Sequence, residues 1–104
     1  MLVELLKADY PFDLYGVFTV QEEMGLRGAR VAAFAIEPDA GIALEGTICD
    51  ELPQERDVPT ATKLDKGPAI TVADRSFIAH HGVLRHTVGT AEALGIPYQF
   101  KQPG

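Results

Sequence analysis

Several features that mark particular classes of protein are scarce in this chain. Cys49 is the one cysteine among 104 residues, so no internal disulfide can form, and this fits a reducing compartment, most simply the cytoplasm. Lysine and arginine number 9 against 15 aspartates and glutamates, and they are scattered rather than gathered in a stripe. A nucleic-acid groove needs such a basic stripe, so we expect no nucleic-acid partner.

Long apolar runs are also missing. No run approaches the roughly 18 apolar residues that span a bilayer, so we expect no membrane insertion. The start of the chain, MLVELLKADY, places acids among its leucines and has no basic segment, so we do not expect it to be a signal peptide. The apolar share of 46% and charged share of 23% are ordinary for a globular chain, and the length allows at most one small domain.

Familiar metal and phosphate motifs are absent from the sequence. There is no H-E-x-x-H, the helical zinc signature, and the spacing of Gly25 and Gly28 fits neither the dinucleotide fingerprint nor the P-loop. The histidines lack the spacing of a metal site, and we do not expect them to be ligands. They are His80, His81 and His86.

The most informative stretch is VFTVQEEMGLRGA, where an apolar run stops at the adjacent carboxylates of Glu22 and Glu23. Residues 14–20 are nearly continuously apolar, which is typical of a strand covered on both faces, as in a parallel sheet. Residues 26–36 have the spacing of a helix packed closely on a sheet. A second apolar segment, residues 41–47, carries Glu45 near its end.

Strand, helix and strand within residues 14–47 predict a βαβ unit with a right-handed crossover. In such a unit the carboxyl ends of both strands lie on the same side of the sheet, and sites in open α/β sheets form beyond those ends. We therefore expect the carboxylates to lie close together. The three residues concerned are Glu22, Glu23 and Glu45.

The rest of the chain predicts further elements of an α/β fold: a mostly parallel or mixed sheet flanked by helices. The sheet could also contain an antiparallel strand, because residues 47–69 hold no clear crossover helix. The expected elements are a first helix within 1–8, a loop over 49–66, strands over 69–73 and 98–101, and a helix over 81–94. The expected buried face of that last helix is Val83, Leu84, Val88, Ala91 and Leu94.

Carboxylates at such a position suit metal-assisted hydrolysis. A divalent ion lowers the pKa of its bound water to about 7, and a neighbouring carboxylate can take the proton and pass it to a leaving amine. Adjacent strand-end side chains point in different directions, so one of Glu22 and Glu23 would ligate an ion while the other faces the water. Glu45 would be a second ligand or serve a second ion.

Other interpretations of these acids stay open. From the residues alone, an ordinary polar turn is the favoured interpretation of Glu22 and Glu23, because acidic pairs at strand ends are common. Glu45 interrupts an apolar run, and a buried acid needs a partner or a metal. Asp74, at the end of the third predicted strand, either touches the site or caps the turn before Ser76, and we favour the cap.

Five elements occur in order along the chain: VFTVQEEMGLRGA, PDAGIALEGT, KLDKGPAI, ADRSFIAH and LGIPYQFKQPG. Together they resemble the tetrahedral aminopeptidase family of cytosolic, co-catalytic metallopeptidases, some of which are called glutamyl aminopeptidases. The resemblance implies removal of N-terminal residues from peptide substrates. It also implies a zinc-exopeptidase-like αβα sandwich and assembly into homo-oligomers.

The resemblance assigns roles to the acids. It makes Glu22 the general base, Glu23 a ligand of one metal ion and Glu45 a ligand of the other, where many relatives carry Asp. The two divalent ions would be zinc or cobalt. Two departures from the family pattern are Asp65, where relatives usually have Gly, and Met24, where they usually have Val.

Other parts of the family pattern have no counterpart in this chain. They are an N-terminal His-x-Asp element with a metal-bridging Asp, a dimerisation insert and a C-terminal His ligand. Residues 1–104 are therefore expected to be a single partial catalytic domain, with weak metal affinity and little or no catalysis alone.

Two alternative functions remain. One is a truncated, non-catalytic α/β protein that self-associates or binds a partner, which an exposed sheet edge and uncovered helices would favour. The other is a small metal-binding or ligand-binding α/β module without a hydrolase role.

Overall fold

The structure, a computed structural model, describes residues 1–49 and 61–101. It has three helices and a small parallel sheet over these ranges, which confirms the predicted α/β class. No helix in the described ranges has both the length and the apolar character needed to cross a membrane. The elements are α1 (Leu2–Leu5), α2 (Arg27–Ile36), β1 (Ala69–Thr71), α3 (His81–Leu94) and β2 (Gln99–Lys101).

The chain groups into two compact units, Met1–Ala43 and Leu44–Gly104. In the first unit α1 is a single short turn of helix. The segment that follows α1 packs closely against Leu2 and Leu6. A Cβ placed on Gly16 would lie only 2.9 Å from Cδ1 of Leu6 and 3.3 Å from Cδ1 of Leu2. Glycine at position 16 therefore lets the chain pass closely over the leucines of α1.

Helix α2 agrees with the predicted helix over 26–36. It begins after Leu26 and ends at Ile36, and the N–H of the next residue, Glu37, donates to the carbonyl of Ala33 at 2.9 Å. The covered face is narrower than predicted. Ile36 is half-buried, whereas Phe34 is 83% exposed.

The predicted strands over 14–20 and 41–47 are wrong. Residues 13–19 and 40–48 contain no helix, turn or bend and are therefore extended, but neither segment pairs with another described strand. A strand requires hydrogen-bonding partners along its edge, and a continuously apolar strand also requires cover on both faces. No described strand pairs with either segment. The segments also lack cover on both faces, since Phe18 is 82% exposed and Ile42 is 75% exposed.

The second unit contains a different strand, helix and strand, in which α3 connects β1 to β2. The two strands are parallel, with Ala69 opposite Gln99 and Thr71 opposite Lys101. This confirms the predicted strands over 69–73 and 98–101, although both are shorter than predicted. An isolated antiparallel bridge between Ala73 and Ile78 follows β1.

Helix α3 has the bounds predicted for it, His81–Leu94. Gly95 ends it with a φ of 64°, donating to the carbonyl of Glu92 while Ile96 donates to that of Ala91. This pair of bonds is the Schellman motif, which favours glycine at the left-handed position. Ala91 is buried at 9% exposure, but Leu94, predicted to be buried, is 68% exposed in the final turn of α3.

A loop is fixed to β2 by one side chain. The carboxamide of Gln99 accepts from the N–H of Lys63 at 2.8 Å and donates to the carbonyls of Lys63 and Gly67, both at 2.9 Å. Thr62, 5% exposed, donates its hydroxyl to the carbonyl of Ile48 at 2.8 Å. The predicted loop over 49–66 agrees with the irregular residues 61–66, and its residues 50–60 lie outside the described residues.

Candidate functional site

The turn that carries the two adjacent glutamates is built by main-chain hydrogen bonds. The carbonyl of Glu22 accepts from the N–H of Gly25 at 3.1 Å and of Leu26 at 2.9 Å. The carbonyl of Gln21 accepts from the N–H groups of Met24 and Arg27, both at 3.3 Å. These bonds close the turn between the extended segment and α2, so the positions of the glutamates are set by the backbone.

Close packing holds the same turn against α2. The N–H of Gly28 donates to the carbonyl of Val20 at 3.0 Å, and a Cβ on Gly28 would lie 2.5 Å from that oxygen. Only glycine allows this approach without a shift of the backbone. Three residues of the turn adopt left-handed backbone, Gln21 with a φ of 55°, Gly25 with a φ of 94° and Leu26 with a φ of 59°.

Glu22 and Glu23 both lie exposed on this turn, as neighbours. Among the described residues, none forms a hydrogen bond or an ion pair with either carboxylate. The alternative of an ordinary polar turn is therefore consistent with the local contacts, and so is a pair of carboxylates available to a ligand.

Glu45 belongs to the second unit and is exposed. The inference that it is a buried acid in need of a partner is wrong in this structure. The reason is that its neighbours in the predicted apolar strand are themselves uncovered, Leu44 at 46% and Ile48 at 77% exposure. Convergence of Glu45 with the pair on the turn stays a prediction.

A complete metal site is not formed by the residues that the structure describes. Neither unit, over residues 1–49 and 61–101, contains a group of three His, Cys, Asp or Glu side chains able to hold a metal ion. Carboxylate oxygens are suitable ligands for divalent ions, but two neighbouring acids on one turn do not make a closed ligand set. The carboxylates present could supply some of the ligands of a metal site but do not complete one.

Asp74 forms the turn cap that the sequence predicts. Its Oδ1 accepts from the N–H of Ser76 at 2.7 Å and from the Ser76 hydroxyl at 3.2 Å. The Ser76 N–H is the main reason why the pKa of Asp74 lies below its ordinary value. His86 is exposed on α3, and His80 is the exposed residue that precedes α3.

One cavity in the second unit was not anticipated from the sequence. It has a volume of about 640 Å³, lies between the loop fixed by Gln99 and strand β2, and carries the cationic side chains of Lys63 and Lys66 beside Asp65. No local pattern could have indicated it, because its lining comes from two segments more than 30 positions apart, residues 61–66 and 97–100.

Comparison with known proteins identifies the class to which the chain is similar, the aminopeptidases. The family model for the M42 glutamyl aminopeptidases matches residues 1–104, and the chain therefore belongs to that family. This confirms the resemblance stated from the sequence elements.

Individual relatives agree with the family. A protein of Acetivibrio thermocellus, provisionally named an aminopeptidase, is 46% identical over 98 residues, which are 94% of this chain. The solved aminopeptidase of the archaeon Desulfurococcus kamchatkensis is 41% identical over 81% of this chain, with a TM-score of 0.74. The solved TET aminopeptidase of a marine sediment Thaumarchaeota archaeon is 36% identical over 83%, with a TM-score of 0.75.

The chain is short beside these relatives. The matched residues make up 28% of the Acetivibrio protein and 24% of each of the two solved chains. The chain thus spans about a quarter of the length of the proteins that it matches.

Proposed function

We propose that this chain is the part of a metal-dependent aminopeptidase that carries the general base and one ligand for each of two divalent metal ions. The substrate class is peptides, from which N-terminal residues are removed. The family match over residues 1–104 is the observation that carries the proposal. The backbone-fixed turn of Glu22 and Glu23 supports it, because a base must be held in place to act.

In this proposal Glu22 is the general base. Its carboxylate takes the proton of the attacking water and later gives it to the leaving amine of the scissile peptide bond. Glu22 is exposed, so water and substrate can reach it. A bound divalent ion would polarise the scissile carbonyl and favour deprotonation of the water.

Glu23 and Glu45 would each hold one of the ions, zinc or cobalt. Because the described residues form no group of three ligands, we expect the remaining ligands to come from polypeptide other than residues 1–49 and 61–101. We therefore expect weak metal affinity and little or no peptidase activity from the isolated chain.

Zinc titration by calorimetry tests the ligand assignments. We expect Glu23→Ala and Glu45→Ala each to weaken zinc binding by at least tenfold, because each removes a charged ligand. Asp39→Ala is a matched control, since it removes an exposed carboxylate outside the proposed site. Equal affinity in all four proteins would remove Glu23 and Glu45 from any metal site.

We also propose a cytoplasmic location and assembly into homo-oligomers. The single cysteine supports a reducing compartment. The name of the TET aminopeptidase relative supports an oligomeric assembly.

A second candidate is a non-catalytic protein that self-associates. The observation that favours it is the exposure of large apolar side chains along the extended segment, including Phe18 at 82% and Val20 at 68%. Large exposed apolar surface is typical of proteins that bind another chain.

A further inference from the structure

We propose that Gln21 is a positioning residue for Glu22. In this proposal the left-handed backbone of Gln21 turns the chain between the extended segment and α2, and the turn sets the direction in which the Glu22 side chain leaves the main chain. The proposal rests on the proposed function, because it takes Glu22 to be the general base. It adds a role for the residue that precedes the base.

Gln21 adopts a backbone conformation that its residue type seldom takes. Its φ is 55°, in the left-handed region. That region is uncommon for residues other than glycine, and it is entered mostly by residues such as asparagine and aspartate, whose short side chains can bond to the nearby main chain. No described residue forms a hydrogen bond with the Gln21 side chain. The conformation is therefore held by the surrounding main chain.

The start of α2 supplies the main-chain bonds that hold Gln21. The carbonyl of Gln21 accepts from the N–H of Met24 and of Arg27, both at 3.3 Å, and the carbonyl of Val20 accepts from Gly28 at 3.0 Å. Helix α2 has no side-chain cap, so the carbonyls of residues 20 and 21 satisfy N–H groups of its first turn. The helix start and the conformation of Gln21 thus depend on each other.

Both ends of the acidic turn are fixed in this way. A Cβ on Gly28 would lie 2.5 Å from the carbonyl oxygen of Val20 and 2.6 Å from its nitrogen, so the residue before Gln21 lies directly against the helix. At the other end Leu26 is also left-handed, with a φ of 59°. Residues 22–25 are therefore held between two left-handed residues.

The main chain is what orients the proposed base. No described residue forms a hydrogen bond or an ion pair with the Glu22 carboxylate, so the fold controls its position through the backbone of the turn. A strained turn from an extended segment into a helix also presents the nucleophile of α/β-hydrolases. Such strain persists at active sites because it holds a reactive group ready.

NMR spectroscopy of the isolated protein tests the backbone conformation. Three-bond couplings and the distance between the amide and α protons report the sign of φ. We expect a positive φ at residue 21 in the wild type and in Gln21→Asn, because asparagine enters the left-handed region more readily. We expect a negative φ in Gln21→Val, because a β-branched residue opposes that conformation. A negative φ in the wild type would overturn the proposal.

The kcat of a complete site tests the role of this conformation. The chain can be grafted into the solved aminopeptidase of Desulfurococcus kamchatkensis, which matches 81% of it. We expect Gln21→Val to lower kcat by roughly 10–100-fold and to leave KM within about threefold, because a displaced base affects the transition state more than substrate binding. Gln21→Asn should retain the kcat of the unsubstituted graft. Equal kcat in the two variants would overturn the proposal.

Glu37 offers a matched control for the backbone strain alone. It is another left-handed residue that is not glycine, with a φ of 50°, and it lies at the opposite end of α2. Glu37→Val opposes the left-handed conformation in the same way, but it should leave kcat unchanged. A loss of kcat equal to that of Gln21→Val would show that both substitutions act by weakening α2, and would overturn the positioning role.

A double variant separates failure of this proposal from failure of the base assignment. If Gln21 acts through Glu22, adding Gln21→Val to Glu22→Gln should lower kcat no further. A further loss would overturn the positioning role and leave Glu22 as the base. Full activity of Glu22→Gln alone would instead overturn the base assignment, and this proposal with it. If Gln21→Val does not fold, Gly28→Ala takes its place in the comparison, because it displaces the Val20 carbonyl from the helix side.

Discussion

At the scale of single residues, Asp74 is the side chain whose charge is most clearly set by the fold. The N–H of Ser76 donates to its carboxylate at 2.7 Å, and the Ser76 hydroxyl and the N–H of Phe77 add to the effect. The pKa of Asp74 therefore lies below its ordinary value of 3.8. The charged form is favoured in the folded state.

The pH dependence of Asp74 follows from the sign of this shift. The charged carboxylate of Asp74 stabilises the folded state at pH values above its unfolded pKa of about 3.9. This stabilisation is lost as the pH falls through the lower pKa of the folded state. We expect NMR titration of the carboxyl carbon to give a midpoint below that of an unfolded reference peptide. Ser76→Ala should keep most of the shift, because the main-chain donor remains. A midpoint equal to that of the peptide would contradict the turn cap.

The pKa of Tyr98 is shifted in the opposite direction, upward. Its hydroxyl donates to Oε1 of Glu92 at 3.1 Å, and this bond raises the pKa of Tyr98 above 10.0. The contribution to stability is complete below the unfolded pKa of about 10 and is lost as the pH rises through the folded pKa. We expect ultraviolet titration to show ionisation of Tyr98 at lower pH in Glu92→Gln than in wild type. Identical curves would show that the bond does not form.

Residue-level features were predictable only where they are local. The cap at Asp74 could be predicted because donor and acceptor are two residues apart. The role of Gln99 could not, because its carboxamide bonds Lys63 across 36 positions, and its sequence neighbours carry no sign of that loop. Glu45 is a local prediction that failed. Its apolar neighbours suggested burial, but burial depends on which other parts of the molecule cover the segment.

At the scale of elements, helices α2 and α3 were predictable because their apolar spacing and end signals are contained in their own residues. Gly95 and Pro97 marked the end of α3, and Pro38 follows the end of α2. The extended segments at 14–20 and 41–47 carry a strand-like pattern as well. Strand pairing is a relation between distant segments, so the pattern could not show whether partners are present.

The contact between α2 and the preceding segment gives a test at this scale. Gly28→Ala would place a Cβ 2.5 Å from the carbonyl oxygen of Val20, and we expect it to lower the free energy of unfolding by about 1–3 kcal/mol. Gly89→Ala, within α3, meets nothing within 4 Å and should raise the free energy of unfolding by about 0.5–1 kcal/mol.

Urea denaturation followed by circular dichroism measures both glycine variants under the same conditions. Stabilisation by Gly28→Ala to the same degree as Gly89→Ala would show that the close approach of α2 to Val20 is absent in solution.

At the scale of the whole molecule, few side chains are buried among residues 1–49 and 61–101, which the structure describes. Among large apolar side chains of the described residues, Phe34 and Ile78 are more than 80% exposed. The family match over residues 1–104, together with coverage of about a quarter of the relatives, accounts for this if the same faces are covered in longer family members.

The proposed partial site makes a prediction about the activity of the isolated protein. With zinc or cobalt added, we expect hydrolysis of aminoacyl nitroanilides to stay at the level of the metal-only blank, because the described residues hold no group of three ligands. Robust peptidase activity that co-purifies with the chain would contradict the proposal that its metal site is incomplete.

The site itself can be tested in a longer relative. The aminopeptidase of Desulfurococcus kamchatkensis has a solved structure and matches 81% of this chain, so the matched residues can be grafted into it. Metal content of the graft, measured by mass spectrometry, reports whether the ions are held. Glu22→Gln within the graft removes the proposed base while leaving the turn and its main-chain bonds in place.

The most direct measurement is kcat of the graft with and without Glu22→Gln at equal metal content. We expect kcat to fall by roughly 10²–10⁴-fold, the usual contribution of a general base, while bound metal is unchanged. Turnover of Glu22→Gln within a factor of two of the unsubstituted graft would contradict the assignment of Glu22 as the base.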